Sequence, residues 1–376
     1  MPTFLEFFCG GGMARAGLSP RWRCAFANDI DARKGESYAR NWGAEALRID
    51  DIHALSAADL PPRADLAWAS FPCQDLSLAG AGAGLSGLRS GAFFGFAALI
   101  ADLARRGRGP RLIALENVIG ALTASGGRDF SRICETLAGL GYRVGALTID
   151  AALFVPQSRP RLFVVALRGE PGALASAEPD PLFASAALRR AHAALDPKLA
   201  ERWAWWNLPA PPAMNLRFAD LLEDDPSDAP WRSRAQTQAL LAMMSETQLR
   251  LLAKARERGR AVGALYRRTR PDGAGGRHVR AEARFDGFAG CLRTPGGGSS
   301  RQFILIAEGD DARSRLLSGR EAARLMGLPE DYRLPARLND CYHLLGDGVV
   351  APVVRHLDQH LLTPLLEAIG AARGAA

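Results

Sequence analysis

The sequence lacks the cysteine patterns that mark a zinc site or a disulfide framework. Its six cysteines are spread along 376 residues, with no CxxC pair and no nearby cysteine–histidine set. This spacing argues against a bound metal and against disulfide stabilisation, and it favours a reducing compartment. A chain of this length, 48% of it apolar, buries a full core without such links.

Long apolar runs are missing as well. No apolar run reaches about 18 residues, and residues 1–20 lack the charged and then apolar layout of a signal peptide. Only 23% of the residues are charged, which excludes a disordered protein. We therefore predict a soluble cytoplasmic protein without a membrane partner. At roughly 150 residues per domain, it should have two domains, or one large domain with an insertion.

Lysine is scarce, with three lysines against 44 arginines. The net charge of +7 suggests a polyanionic partner, but a GC-rich genome would also produce such an arginine-rich chain. The distribution of charge is more informative than its sum. Between Arg250 and Arg284 there are eleven basic and three acidic residues, a local charge of +8, so the rest of the chain is close to neutral.

Short β-like runs alternate with helical stretches over the first 170 residues. This pattern predicts a doubly wound α/β fold, with a mostly parallel sheet and helices on both faces. No helix separates the last two strands, so they should form a hairpin that makes the final strand antiparallel, near the edge of the sheet. The predicted strands are Thr3–Phe8, Arg23–Asn28, Ala46–Ile49, Asp65–Ser70, Arg111–Glu116, Tyr142–Thr148 and Arg161–Leu167.

Helices are predicted near 12–18, 31–41, 91–106 and 129–140. The last of these has Asp129 placed as its N-cap and Gly141 just past its end.

The pattern changes after Arg168. Residues 170–235 are rich in proline and alanine and contain Trp203, Trp205 and Trp206, which suit packing between domains better than base stacking. A helical stretch near 236–258 and the basic segment follow, and together they predict a separate, smaller and less regular domain.

From Ser318 the pattern is helical again. Ser318 and Glu321 have the spacing of a capping box, and Gly327 with Pro329 marks the end of that helix.

Residues that could carry chemistry stand at the carboxyl ends of the predicted strands. Glycines after strand one let a backbone approach a ligand, although a tight turn without a ligand fits equally well. Asp29 after strand two could hold both hydroxyls of a ribose or cap a helix. Asp51 after strand three could bind similarly or lie in a solvated turn.

Cys73 ends strand four, where a thiolate would face a ligand crevice. Glu116 ends the apolar strand five, where a carboxylate is costly unless it has a partner or a task. Adjacent strand ends should place Glu116 near Cys73. Arg159 and Arg161 share strand parity, so both could point into one site, or they could be solvated arginines at an edge.

Together these residues resemble the DNA (cytosine-5)-methyltransferases, and they stand in that family's order. The resemblance covers roughly residues 1–168 and 313–360. The motifs are a Phe-x-Gly turn, an acidic ribose residue, Pro-Cys-Gln, Arg89-Ser90-Gly91, Glu-Asn-Val, Gln-x-Arg-x-Arg, Arg320–Pro329 and Gly346–Val353.

The resemblance implies a class I methyltransferase-type seven-stranded sheet and three segments. Residues 1–170 would form the catalytic domain that binds S-adenosylmethionine, residues 171–310 the target-recognition domain, and residues 311–376 a segment returning to the catalytic domain. The implied reaction moves a methyl group from S-adenosylmethionine to C5 of a flipped-out cytosine through a covalent bond between Cys73 and C6.

The resemblance also implies roles for single residues. Glu116 would contact N3 and the exocyclic amine of the base, while Arg159 and Arg161 would anchor its carbonyl and the catalytic loop. The implied cofactor residues are Phe8, Gly10, Gly12, Asp29, Ile30, Asp51, Ile52, Pro72, Asp347 and Val349. The candidate DNA contacts are Gln74, Ser77, Arg89, Arg293, Thr294, Arg301 and Gln302.

Three segments have an ordinary alternative beside the functional interpretation. Asp75–Arg89 suits a loop that closes over the base, or a flexible surface loop. The basic run fits phosphate contacts, or a solvated helix face. Arg293–Gln302 suits a base-reading loop, or a hairpin turn.

Double-stranded DNA is the implied partner of a monomeric, bacterial or phage-encoded enzyme, and a cognate restriction endonuclease is a candidate second partner. The same chemistry on tRNA and a DNA-binding module without turnover are the alternative functions. Met13, Glu6 and Asp347 depart from the family's usual glycine, aspartate and asparagine. Asp347 would add a negative charge near the methyl donor.

Overall fold

The computed structural model describes residues 1–72, 91–271, 276–296 and 301–374. Cys73, Gln74, Ser77, Arg89 and most of the run from Gly296 to Ser300 lie outside these ranges, so the predictions that rest on them remain predictions. The chain divides into two compact units. The first comprises Met1–Asp150, Pro160–Pro212 and Val349–Ala376, and the second comprises Ala151–Arg159 and Ala213–Gly348.

Seven strands of the first unit form one sheet. The strands are β1 (Thr3–Phe7), β2 (Arg23–Asp29), β3 (Leu47–Ile49), β4 (Leu66–Ala69), β5 (Leu112–Val118), β6 (Arg143–Asp150) and β7 (Pro160–Leu167). Their order is β3-β2-β1-β4-β5-β7-β6. Only β7 runs antiparallel, to both β5 and β6. The predicted doubly wound, mostly parallel sheet with one reversed strand next to its edge is confirmed.

Helices follow most strands. They are α1 (Met13–Gly17), α2 (Ala32–Trp42), α3 (Ala92–Arg105), α4 (Arg128–Gly139), α5 (Ala186–Ala193), α6 (Pro197–Ala200), α7 (Arg234–Leu241), α8 (Glu246–Arg256), α9 (Gly319–Leu325), α10 (Leu338–Asp347), α11 (Ala351–Leu357) and α12 (Thr363–Gly374). Within the described ranges, no helix has both the length and the apolarity needed to cross a bilayer. The same ranges contain no group of three His, Cys, Asp or Glu side chains that could hold a metal ion.

Strand residues alternate between the two faces of the sheet. Phe7, Ala69 and Leu115 pack in one buried core that also contains Phe96 of α3 and Ile133 of α4. Residues of the other parity point to the opposite face, because side chains along a strand alternate with a period of two. Two acidic residues of this second set, on β1 and β5, are part of the candidate site.

The start of α4 differs from its prediction. The helix begins at Arg128 with Gly127 as its N-cap, and Asp129 lies inside the first turn, where it accepts a hydrogen bond from Ser125 Oγ at 2.9 Å. The N-cap prediction was wrong because Gly127, with φ +88°, already turns the chain into the helix. The other end is as predicted: Gly141 has φ +85° and donates to Ala138 O.

The tryptophans pack within the first unit. Two short strands, β8 (Ala175–Ser176) and β9 (Trp205–Trp206), pair there. The Trp203 ring lies 6.1 Å from that of Phe130, and both belong to the core beneath α3 and α4. The tryptophans therefore pack inside one compact unit, and the predicted role between domains was wrong, because that unit continues to Pro212.

The second unit contains an antiparallel sheet in the order β11-β10-β12-β13. Its strands are β10 (Ala261–Pro271), β11 (Arg277–Arg284), β12 (Gln302–Glu308) and β13 (Asp311–Leu316). Most of the basic segment therefore forms a β-hairpin, and a solvated helix face accounts only for its beginning in α8.

At α9 the predicted capping box is present. Ser318 Oγ accepts from Glu321 N at 3.1 Å, and Ser318 N donates to Glu321 Oε2 at 2.7 Å. Gly327, just past the end of α9, has φ +67°.

Candidate active site

The turn after β1 has an unusual backbone. Phe8 has φ +56°, a left-handed conformation that a phenylalanine rarely adopts, and Gly10 and Gly12 have φ +53° and +76°. A Cβ atom at Gly10 would meet nothing within 4 Å, whereas one at Gly12 would lie 2.3 Å from Trp42 Nε1. The backbone at Gly10 therefore faces open space, as a ligand-binding turn requires.

Asp29 ties this turn to the end of β2. Its carboxylate accepts from Gly10 N at 2.8 Å and from Asp31 N at 2.9 Å. Burial raises the pKa of Asp29, and these backbone hydrogen bonds oppose that shift. The N-cap of α2 is Asp31, which accepts from Arg33 N and Lys34 N, so the helix-cap interpretation of Asp29 is excluded.

Glu6 of β1 is a second buried carboxyl group at this end of the sheet. It is 1% exposed, and its Oε1 accepts from Arg15 N at 3.3 Å. Its other oxygen, Oε2, has no hydrogen-bond partner among the described residues. Burial raises the pKa of Glu6 to about 8. A buried polar atom without a partner suits a site that a ligand completes.

The remaining predicted cofactor residues of the first unit differ in exposure. Ile30, beside Asp29, is 66% exposed. Asp51 is exposed and caps the short turn Ile52–Ala54 by accepting from His53 N, while Ile52 is buried. Val349 is also buried.

Glu116 and Arg161 meet at the other half of the sheet edge. An ion pair joins Arg161 Nε and Glu116 Oε1 at 3.0 Å, and the two side chains are 15% and 7% exposed. The pairing follows from strand register, because Val118 lies opposite Arg161 and Glu116 lies two residues earlier on β5. The Arg161 guanidinium therefore compensates the charge of the buried Glu116 carboxylate, which would be costly without a partner.

Asn117, between Glu116 and Val118, had no predicted role. Its Nδ2 donates to Phe71 O at 3.3 Å, and its Oδ1 accepts from Val118 N at 2.8 Å. It thus links the end of β5 to the residue two positions before Cys73. The Glu-Asn-Val motif contained the signal for this contact.

Arg159 has partners of another kind. Its guanidinium donates to Leu292 O at 2.7 Å, Gly346 O at 2.9 Å and Gly348 O at 2.7 Å, all in the second unit. Arg159 lies directly before β7, which begins at Pro160, and the expectation that it points into one site with Arg161 stays a prediction. An anchoring role for Arg159 remains a prediction.

The candidate DNA contacts of the second unit also differ. Arg293 is exposed, Thr294 Oγ1 donates to Asp347 Oδ1 at 3.0 Å, and Arg301 donates to Asn339 Oδ1 at 2.9 Å. Gln302 is 2% exposed and its Oε1 accepts from the Tyr266 hydroxyl. A side chain so enclosed does not offer its amide to a base edge, so the geometry does not support a base contact by Gln302.

The sheet order and the acidic and glycine residues at its carboxyl edge define a class I methyltransferase-type protein. A family model described as C-5 cytosine-specific DNA methylase matches residues 2–362, and the chain belongs to that family.

Curated relatives match along different lengths of the chain. The Type II methyltransferase M.HpaII of Haemophilus parainfluenzae is 26% identical, over 96% of this chain and 90% of that protein. M.NlaX of Neisseria lactamica is 24% identical, over 97% of both. The match to M.BsuFI of Bacillus subtilis is 31% identical but spans 45% of this chain and 40% of that protein.

Solved structures share the fold. A mutant DNMT2 of Spodoptera frugiperda has a TM-score of 0.61 at 15% identity, covering 98% of this chain and 100% of that one. A putative DNA modification methyltransferase encoded within an E. coli prophage has a TM-score of 0.56 at 17% identity, with the same coverage. At these identities the likeness concerns the fold alone.

Proposed function

We propose that this protein is a DNA cytosine-5 methyltransferase that works through a covalent bond between Cys73 and C6 of the target base. The observation that carries the proposal is the ion pair between Glu116 and Arg161 at the carboxyl edge of β5 and β7. Asn117 links the same edge to Phe71, two residues before Cys73. Family membership supplies the type of reaction.

The chemistry explains why these residue types are needed. C5 of cytosine is a weak nucleophile, and addition of a thiolate to C6 moves electron density onto C5. A carboxyl group at N3 and the exocyclic amine opposes the build-up of charge on the ring. Arg161 fixes the Glu116 carboxyl and, as a cation, favours a nearby cysteine in its thiolate form. Loss of the C5 proton and of the sulfur then restores the aromatic ring.

The residues of the β1–β2 half fit S-adenosylmethionine, which supplies an electrophilic methyl group when bound. Open space at Gly10 leaves room for a ligand beside the backbone. The buried, partnerless Oε2 of Glu6 can accept a hydrogen bond from the ligand, and the exposed side chain of Ile30 can be covered by it. Asp29 would hold the ribose, with Phe8 and Asp51 completing the site.

The β10–β11 hairpin suits a nucleic-acid backbone. Arg268 lies directly opposite Arg280. Like charges opposite each other destabilise a strand pair. A single carboxylate, that of Glu282, serves both Arg268 at 3.5 Å and Arg270. Phosphate oxygens would relieve the remaining repulsion, so we assign duplex contacts to this hairpin and target recognition to the region around it.

The relatives named as Type II methyltransferases extend the proposal to a role in restriction and modification, with a cognate endonuclease as a further partner. To reach the active site, the target base must leave the duplex stack, which costs a few kcal/mol. The contacts of the β10–β11 hairpin with the duplex can help to offset this cost.

A mechanism-based trap tests the proposed function. The protein is mixed with S-adenosylmethionine and with duplex DNA or tRNA that contains 5-fluorocytosine, whose fluorine cannot leave as a proton does. We expect a covalent complex on DNA that is absent in Cys73→Ala. Trapping on tRNA alone, or on neither substrate, would overturn the proposal. Bisulfite sequencing of DNA from cells that express the protein would then identify the methylated sites.

A further inference from the structure

Buried side chains fix the backbone at Leu292. Gln157 Oε1 accepts from Leu292 N at 2.9 Å, and Arg159 Nη1 donates to Leu292 O at 2.7 Å. Gln157 is 0% and Arg159 1% exposed. Both backbone polar groups of Leu292, its N–H and its C=O, are thus satisfied by side chains that solvent does not reach. The exposed residue Arg293 follows immediately.

The C-terminal end of α10 joins the same junction. Arg159 Nη2 donates to Gly346 O at 2.9 Å and to Gly348 O at 2.7 Å, so one guanidinium bridges Leu292 and the end of the helix. A Cβ atom at Gly346 would lie 2.5 Å from Thr294 N. Only glycine allows these two backbones to approach so closely.

Asp347 adds a side-chain contact at this junction. Its Oδ1 accepts from Thr294 Oγ1 at 3.0 Å. A hydroxyl bonds a carboxylate more strongly than an amide oxygen. Asp347, in place of the family's usual asparagine, therefore holds Thr294, and with it the neighbouring Arg293, more firmly.

The other end of α10 also contacts a candidate DNA residue. Arg301 Nη2 donates to Asn339 Oδ1 at 2.9 Å. Asn339 precedes Asp347 by eight residues, or about 12 Å along a helix axis. The helix thus holds Thr294 at one end and Arg301 at the other.

We propose that Asp347 is a positioning residue for target selectivity: by holding Thr294 on α10, it orients Arg293 and so determines how strictly the enzyme discriminates its target sequence from similar ones. This inference rests on the proposed DNA methyltransferase function. It gives Asp347 a role in substrate recognition in addition to the cofactor role that the family resemblance implies.

The test measures selectivity directly. Wild-type protein is first used to methylate a random-sequence duplex library, and bisulfite sequencing identifies its preferred motif. The ratio of kcat/KM on that motif to kcat/KM on single-base variants is then measured. We expect Asp347→Ala and Thr294→Val each to lower this ratio by about five-fold, the factor that loss of one hydrogen bond predicts. Asp347→Asn should have a smaller effect, and Thr294→Ser, which keeps the hydroxyl, should retain the ratio.

A structural role alone would give another result. If Asp347→Ala and Thr294→Val lower kcat and thermal stability together and leave the ratio unchanged, the inference is wrong. It is also wrong if Asp331→Asn, an exposed carboxylate-to-amide change in the same unit, lowers the ratio as much. A wild-type protein that methylates no cytosine in the library would overturn the proposed function itself, whereas an active protein with unaffected variants overturns only this inference.

Discussion

The two halves of the sheet's carboxyl edge use buried carboxyl groups in opposite ways. In the β1–β2 half, Glu6 and Asp29 are bonded mainly to backbone N–H groups, and burial raises the pKa of both. In the β5–β7 half, Glu116 is ion-paired with Arg161. Glu6, with its pKa raised to about 8, is mostly protonated at neutral pH, so the first half can hydrogen-bond the methyl donor without placing a second full negative charge beside Asp29. The second presents a carboxylate and guanidinium together, which suits the edge of a base.

The largest expected effect is on the rate of methyl transfer, and it comes from a change in the β5–β7 half. Glu116→Gln keeps the shape of the side chain but removes the group that would share a proton with N3 of the base. We expect single-turnover methyl transfer to slow by roughly 100- to 10,000-fold, the range typical for loss of a general acid or base. Transfer of labelled methyl to DNA measures it. Glu178→Gln, at an exposed position of the same unit, is the control. A Glu116→Gln enzyme with wild-type rates would remove this half from the mechanism.

A pair of glycine variants tests the β1–β2 half. Gly12→Ala forces a methyl group to 2.3 Å from Trp42 Nε1 at a residue with φ +76°. We expect it to lower the free energy of unfolding by about 2 to 5 kcal/mol. Gly10→Ala has the same backbone strain but enters open space, so only about 1 to 2 kcal/mol should be lost.

The order of the two glycine variants in loss of affinity for S-adenosylmethionine should differ from their order in loss of stability. Gly10→Ala should weaken S-adenosylmethionine binding far more than its small loss of stability explains, because its methyl group enters the space assigned to that ligand. Urea unfolding and calorimetric titration of the methyl donor measure the two quantities. Unchanged donor affinity in Gly10→Ala would show that the open space is not the ligand's.

These contacts show which parts of the site were predictable. The positions of Asp29 and Glu116 at the carboxyl edge were predictable, because apolar runs separated by helices indicate a parallel sheet whose strands end at one edge. The ion pair of Glu116 with Arg161 was not predicted, because it requires β7 to lie beside β5. Gln302 was not, because its burial depends on the register of β10 with β12, where it lies opposite Tyr266. The partners of Arg159 were not either, since they lie on segments more than 130 residues away in the chain.

The β10–β11 hairpin was missed for a different reason. An arginine-rich segment shows little alternation between apolar and polar residues, which is the pattern that predicts a strand. Exposed strand residues such as Arg268 and Arg270 therefore fit the solvated side of a helix equally well. The alternating pattern becomes visible only where Ala281 and Ala283 are buried between half-buried neighbours on β11.

The pH dependence of the free energy of unfolding should show that Glu6 keeps its proton in the folded protein at neutral pH. Burial raises its pKa from 4.5 to about 8 in the folded protein. Below about pH 4.5 Glu6 is protonated in both the folded and the unfolded chain, so the protein loses no stability through this group. Between about pH 4.5 and 8 the unfolded chain ionises while the folded one keeps its proton. Stability should therefore fall with rising pH, by at most about 1.4 kcal/mol per pH unit.

The matched variant for this measurement is Glu6→Gln, which stays neutral at every pH. Urea unfolding of both proteins at several pH values within that window should give curves that diverge as the pH rises, with the wild type losing more stability. Parallel curves would show that Glu6 titrates near its ordinary pKa and that the β1–β2 half is less enclosed than its burial indicates.

The smallest effect distinguishes a helix cap from a ligand contact at neighbouring residues. Asp31→Ala removes the N-cap of α2, an exposed side chain that accepts from Arg33 N and Lys34 N. It should lower the free energy of unfolding by about 1 kcal/mol. It should leave the affinity for S-adenosylmethionine unchanged, because the Asp31 carboxylate bonds only to backbone N–H groups of the first turn of α2.

Asp29→Asn should instead weaken binding of the methyl donor, since Asn cannot accept from both Gly10 N and Asp31 N through two carboxylate oxygens. If Asp31→Ala weakens donor binding as much as Asp29→Asn does, then the β2 end acts as one structural unit, and the assignment of ribose contact to Asp29 alone fails.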